Sequence, residues 1–293
     1  MPHPLTWTSA TTPAELHPLL RSLAEEYPVQ ETAAAATLRF IHEPDRAGHR
    51  LEAVGEVTTV RYGRVSQAGR ALGTLLAGLV PAGGTVVDQP ASALLGLLLD
   101  CGHNATVTTA HLRGWLRRMA LLGFDTLLVY TEAGYLLPDE PCFGYLRGAY
   151  SHEEMRELDA YAAGLGIELI GSIQTLGHLE QMLNWPPYHR LRDTEHTLLV
   201  GDPGVAALVD KMIEFWATAL GSRRLHVGLD ETYDLGRGRA LDQHGYRPGL
   251  EWYADHLRLV ADTCTRHGVR PMVWSDVLFR LAGASSRPRS RPI

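Results

Sequence analysis

Asp230 and Glu231 stand side by side in the stretch RLHVGLDETYDLG (224–236). Adjacent like charges raise each other's cost of ionisation. Such a pair suits chemistry that needs one protonated carboxyl beside an ionised one. Side chains alternate faces along a strand. In RRLHVGLD (223–230), Leu225, Val227 and Leu229 share the face that would meet a helix layer, while His226, Gly228 and Asp230 share the other. Asp230 then falls at the C-terminal end of its strand, where α/β enzymes place their chemistry. For both carboxylates to reach one ligand, the strand must end there. An arbitrary Asp-Glu dipeptide would simply face solvent; the other strand ends argue against that here.

LGLLLD (95–100) ends in Asp100, and FDTLLVY (124–130) leads into Thr131 and Glu132. IELIGSIQ (167–174) leads to His178, and VRPMVWSD (269–276) carries Trp274 and Asp276 on one parity. One polar residue at a strand end is usually a cap, but a set at successive ends reads as a site. Carboxylates for proton transfer, an aromatic face for a ring and hydrogen-bonding groups for hydroxyls suit a sugar. A rival reading takes His226, Asp230, Glu231 and His178 as nitrogen and oxygen ligands of a metal-dependent hydrolase.

These residues need an alternating scaffold to bring them together. Helical stretches at about 109–122, from Ser151 with Glu154 three residues on, at about 204–220 and at about 250–267 separate the five strands. Gly123 and Gly268 follow two of these helices as left-handed stops, and Ser151 with Glu154 forms a capping-box pattern. Alternating strands and helices argue for a parallel sheet, closed as a (β/α)8 TIM-type barrel or open and doubly wound. Only five strands are legible, and a full barrel takes ~250 residues, so the expected barrel is incomplete. Residues 1–90, with strand-like LRFIHE, LEAVGE and VTTVRYG, read as a small α+β domain, and the Pro- and Gly-rich PAGGTVVDQP as a linker. Residues 91–282 read as the partial barrel and 283–293 as a disordered tail.

Composition narrows the partners. The chain has 293 residues, 45% hydrophobic and 20% charged, and a net charge of -6. That composition is globular, with no basic footprint for nucleic acid. Cys101, Cys142 and Cys264 are too sparse for a disulfide framework and lack zinc spacing. No apolar run of about 18 residues suggests a membrane span. The N-terminus has no basic segment followed by an apolar core. A cytoplasmic location follows as the expectation, with no membrane partner.

HVGLDE resembles the His-x-Gly-x-Asp-Glu signature of glycoside hydrolase family 20, the β-N-acetylhexosaminidases. LLLDCGHNATV, LGFDTLLVYTE, EPCFGYLRGAYSHEEMRELDAYAAGLGIELIGSIQTLGHLEQML and RPMVWSDVLFR resemble that family in the same order. The likeness covers roughly residues 35–282. It implies removal of terminal β-linked N-acetylhexosamine from a glycan or glycoconjugate, without a cofactor or metal, by a retaining mechanism in which the substrate's own acetamide attacks. On this resemblance Glu231 is the general acid and then base, and Asp230 orients the acetamide. Glu132, His178, Trp274, Asp276, Asp100 and His103 contact or frame the sugar, with Glu132 the carboxylate partner of His178. His226 supports the pair from beneath.

Two departures stand out. His103 occupies the position where the family commonly carries an arginine after its first strand, and histidine lacks the bidentate fork of that residue. The family's later pocket aromatics come from strands six to eight, which are not legible here, as expected of a C-terminally truncated chain. An incomplete barrel exposes strand edges, which homodimerisation would cover. An inactive or sugar-binding remnant of the family is the non-enzymatic alternative.

Overall fold

The computed structural model describes residues 4–103 and 105–277. The tail expected over 283–293 lies outside them. The chain forms two compact units: Met1–Leu98, Val107–Leu128 and Arg156–Leu169 make one, and Leu99–Thr106, Val129–Met155 and Ile170–Ile293 the other.

The first unit opens with β1 (Leu5–Trp7), α1 (His17–Ala24) and β2 (Val29–Glu31), the two short strands pairing in parallel. Next come β3 (Leu38–His42), β4 (His49–Val54), β5 (Val57–Tyr62), α2 (Val65–Leu76) and β6 (Thr85–Asp88). These strands form a mixed sheet of order β3-β5-β4-β6, with β5 parallel to β3 and β4 antiparallel to both β5 and β6. Leu38, Phe40, Leu51 and Val60 bury one face, as period-two alternation demands. β6 corrects the linker reading of PAGGTVVDQP. Three β-branched residues in a row, Thr85, Val86 and Val87, pair with β4 and override the flanking Pro and Gly.

α3 (Thr109–Leu122) packs against α2. Thr108 caps α3 by accepting from the His111 amide, and Gly123 ends it at φ 82°. The helices meet where α2 carries Gly69 and Gly73. A Cβ on Gly73 would stand 2.0 Å from the Leu121 carbonyl oxygen, so only glycine permits this approach.

The second sheet has five strands: β7 (Gly96–Asp100), β8 (Thr126–Glu132), β9 (Glu168–Ile173), β10 (Arg224–His226) and β11 (Arg270–Met272). Their spatial order equals their sequence order, and the β9–β10 and β10–β11 pairs are parallel. α3, α4 (His152–Gly164), α6 (Pro203–Ala219) and α8 (Gly249–Arg266) connect them, while α5 (Glu180–Leu183) and α7 (Arg239–His244) are short turns in the loops. Sequential parallel strands joined by helices are the wall of a TIM-type barrel, here five strands wide. β8 and β9 are buried almost throughout, as strands covered on both faces must be. Ser151 and Glu154 cap the start of α4 reciprocally, as their spacing predicts. Asp202 caps α6, whose first residue is Pro203. Among the described residues no helix is long and apolar enough to cross a membrane.

β10 is shorter than the expected 223–230. It stops at His226, because Gly228 and Leu229 adopt φ of 75° and 72°, which no strand tolerates. β11 likewise ends at Met272, although the Trp274 amide still donates to the Gly228 carbonyl at 3.1 Å.

Gly73→Ala adds a good helix former, worth up to about 1 kcal/mol. The carbonyl contact outweighs that gain, and a net loss of about 1–3 kcal/mol is expected from overpacking. Urea unfolding would check it; an unchanged or raised midpoint would mean that the α2–α3 contact yields freely.

Candidate active site

Every candidate residue lies at or just beyond the C-terminal end of a β-strand of the five-stranded sheet. Asp100 closes β7 and Glu132 closes β8; Gln174 and His178 follow β9, Asp230 and Glu231 follow β10, and Trp274 and Asp276 follow β11. Side chains from successive strands therefore converge on one rim, which loops can vary without disturbing the core.

A hydrogen-bonded chain links them. Asp100 Oδ1 accepts from the amides of Gly102 and His103, and Oδ2 lies 2.7 Å from His103 Nδ1. The other ring nitrogen of His103 is 3.6 Å from Glu132 Oε1, and the ring stacks on Tyr130 at 5.5 Å. The Tyr130 hydroxyl donates to Glu132 Oε1 at 3.3 Å and accepts from Gln174 Nε2 at 3.2 Å. Gln174 Nε2 also donates to Asp230 Oδ1 at 2.7 Å. Because a carboxylate can only accept, the amide nitrogen of Gln174 must face Asp230. His178 Nε2 completes the chain, 3.4 Å from Asp230 Oδ2 and 3.5 Å from Glu231 Oε2.

This placement corrects one expectation: the carboxylate partners of His178 are Asp230 and Glu231, not Glu132. Glu132 pairs instead with His103 and with Arg147, whose Nη2 donates to Oε2 at 3.3 Å. Arg147, Gln174 and Tyr130 are therefore members of the network that the candidate residues left out. Tyr130 and Gln174 were visible as polar strand ends. Arg147 sits in a loop without periodicity, its only signal being the flanking glycines of GYLRG.

Charge is distributed unevenly. Burial opposes ionisation of Asp230, but the hydrogen bonds from His178 and Gln174 and the His178 charge outweigh it, so the carboxyl stays below its ordinary range. The same bond, donated by His178 to Asp230, raises His178 above the usual imidazole value, against burial. Glu132 is pushed up by burial, which His103 and Arg147 only partly counter. The two adjacent carboxylates are also unequally exposed: the Asp230 side chain is 19% exposed and that of Glu231 58%.

His226 is buried and its pKa is lowered by that burial, so the ring is neutral. Its Nδ1 accepts from the Gly228 amide at 3.3 Å, and Trp274 lies over it at 4.5 Å. Gly228 is confined twice over. Besides its positive φ, a Cβ there would meet Gln174 Oε1 at 2.0 Å. Asp276 and Asp230 both act on Tyr253, whose hydroxyl is pushed up to about 12, chiefly by burial. Behind the site, His256 of α8 donates to the Thr175 carbonyl at 2.7 Å, and the Thr175 hydroxyl donates to the Val227 carbonyl at 2.8 Å. Among the described residues no group of three His, Cys, Asp or Glu side chains has the arrangement to hold a metal ion.

Glu132, His178 and Glu231 adopt φ of 48°, 53° and 52°. Left-handed backbone at a residue with a Cβ costs on the order of 1–3 kcal/mol and clusters where function demands it.

The fold has solved counterparts. The glycoside hydrolase family 20 exo-β-N-acetylglucosaminidase of Vibrio harveyi aligns with a TM-score of 0.76 at 19% identity, covering 93% of this chain and 51% of that one. The Streptomyces coelicolor A3(2) family 20 β-N-acetylhexosaminidase aligns at 0.74 and 19%, covering 97% and 63%. At these identities the likeness establishes the fold. No family model matches the chain. Sequence similarity is nonetheless present: over 173 residues the chain is 34% identical to hexosaminidase D of Homo sapiens, covering 54% of this chain and 34% of that protein. Against hexosaminidase D of Bos taurus it is 30% identical over 176 residues, covering 54% and 48%. It thus spans between a third and a half of the length of these curated relatives. In fold the chain is similar to family 20 β-N-acetylhexosaminidases, and over 54% of its length it is similar in sequence to hexosaminidase D.

The electrostatics carry a pH consequence. The folded His178 pKa is raised, so its pairing with Asp230 contributes stability fully present below about 6.5 and lost as pH climbs through the folded value. The Asp230 pKa is depressed, so its contribution is present above about 3.9 and lost as pH falls through its folded value. Asp230→Asn is therefore expected to lower the His178 titration midpoint, read by NMR of the imidazole ring. A midpoint that stays put would mean that Asp230 is not the group holding the proton on His178.

Proposed function

We propose that this chain carries the catalytic centre of a retaining β-N-acetylhexosaminidase acting by substrate assistance. The observation behind the proposal is the unequal pair: Asp230 is fixed and ionised by Gln174 and His178, while the neighbouring Glu231 stands open to a ligand. A reaction in which one carboxylate orients and the other transfers a proton needs that inequality.

In this mechanism the substrate's acetamide oxygen attacks the anomeric carbon. Asp230 accepts from the acetamide N–H and stabilises the positive charge that develops as the oxazolinium forms. Glu231 donates its proton to the glycosidic oxygen as that bond breaks. It then removes a proton from the water that reopens the intermediate at the anomeric carbon, giving net retention. Trp274 with His226 beneath it supplies an apolar wall for the acetamide methyl. His103, held by Asp100, and Glu132, held by Arg147 and Tyr130, are placed to hydrogen-bond ring hydroxyls where the family carries its arginine. The reaction so written uses no cofactor.

Turnover of N-acetyl-β-glucosaminides with leaving groups of graded acidity tests the assignment. Glu231→Gln is expected to lower kcat by about 10²–10⁴-fold with a poor leaving group, and by less with nitrophenolate, which departs with little protonation. Asp230→Asn should cost similarly for both. A Glu231→Gln rate equal to wild type would sink the acid assignment. Sugar binding without turnover by the folded wild-type protein would leave a sugar-binding remnant.

A further inference from the structure

The first unit holds a cleft of about 430 Å³ that shares no residue with the carboxylate site. The N-terminal half of α2, the end of β6 and the turn after α3 line it. Its polar side carries two guanidinium–carboxylate pairs. Arg64 Nη1 lies 3.5 Å from Asp125 and donates to the Ala93 carbonyl at 3.5 Å, while Arg70 Nε lies 3.3 Å from Asp88. Charge-assisted bonds ordinarily run at about 2.7–2.9 Å. Pairs this loose leave both five-donor guanidiniums with capacity for a ligand.

Gln67 and Ser66 add donors that folding does not use. Gln67 is 8% exposed, and its Oε1 accepts from the amides of Gly63 and Arg64, both at 3.0 Å. With the oxygen committed to the cap of α2, the amide nitrogen faces elsewhere. Among the described residues that nitrogen has no acceptor, and neither has the hydroxyl of Ser66, which is 4% exposed. Both side chains line the cleft. Buried donors without partners are rare, because a group stripped of water and given no bond destabilises the fold. The lining also includes Phe124 and two leucines, Leu95 and Leu122, that are 46% and 56% exposed.

Charge decides the ligand. Two cations stand with two carboxylates, so a phosphate would meet repulsion as well as attraction. A neutral molecule rich in hydroxyls suits the set, because each hydroxyl can accept from a guanidinium or amide and donate to a carboxylate. The leucines and Phe124 offer contact for a C–H face. The volume falls within the about 300–1,000 Å³ of small-molecule sites and suits a short saccharide.

We propose that this cleft is a non-catalytic saccharide site. Gln67, Ser66 and the Arg64–Asp125 and Arg70–Asp88 pairs hold the hydroxyls of a neutral glycan there. The site stands apart from the hexosaminidase reading, and only the choice of probe rests on that reading.

Nitrogen-edited NMR of the Glu231→Gln protein tests it, with the β-linked trimer of N-acetylglucosamine as an uncut probe. The Nε–H signals of Arg64 and Arg70 are expected to shift and saturate. Gln67→Glu keeps the oxygen that caps α2 and removes the amide donor, and Ser66→Ala removes the hydroxyl. Together they should weaken this binding about tenfold or more, as the loss of two hydrogen bonds implies. Arg70→Gln, on a half-exposed side chain, should weaken it without touching the cap. Binding that survives both sets of changes would overturn the proposal. Shifts caused by inorganic phosphate or free glycine but not by the trimer would overturn it too, giving the cleft to a charged ligand. The Trp274 indole signal reads the carboxylate site separately. Shifts at Trp274 alone would overturn this site and leave the hexosaminidase reading standing; shifts at Arg64 and Arg70 alone would support this site and count against that reading.

Discussion

The bond from Gln174 to Asp230 is the constraint on which the site depends. A carboxylate this far buried would ordinarily shed its charge. Two donors prevent that, one from each side: the Gln174 amide and the His178 ring. Gln174 reaches because residue 228 has no side chain, and Gly228 can be where it is because β10 breaks at His226. Sequence, backbone and charge thus depend on one another within a few residues. The left-handed turns at Leu229 and Glu231 then present the second carboxylate outward instead of continuing the alternation of the strand.

Around that bond the proteins's two strand-end regions differ in kind. On the β7–β8 side, Asp100, His103, Glu132 and Arg147 neutralise one another in pairs. On the β10–β11 side the groups are aromatic and largely unpaired, with Trp274 over a neutral His226 and a buried Tyr253 hydroxyl near Asp276 and Asp230. In the proposed reaction, a polar flank and an apolar flank on either side of two carboxylates would give the sugar one orientation. The placement of hydroxyls and acetamide in the proposed reaction follows from that asymmetry.

Much of this was legible in the amino-acid order. The five barrel strands and the four helices between them follow from apolar runs, caps and glycine stops, and the strand ends marked Asp100, Glu132, His178, Asp230 and Trp274. What was not legible has physical causes. β1 and β2 are three residues long, too short to show a period. β6 lies inside Pro- and Gly-rich punctuation and exists because β4 offers an edge. The early end of β10 depends on backbone angles that alternation does not report. The partner of His178 was misassigned because the identity of a contact across loops is set by tertiary geometry, and Arg147 sits on a loop that carries no pattern.

The loop bearing Tyr145 and Leu146 is anchored by main-chain contacts: through the Arg147 carbonyl to Thr106, and through the tight seat of Gly144 against Tyr135. Neither anchor uses the side chains at 145 and 146. Mutation can therefore exchange those two residues without moving the backbone that carries them, and without touching Gln174, His178 or Asp230. The exposed face of this loop and the carboxylate network can therefore drift on separate clocks, a change in one leaving the geometry of the other in place.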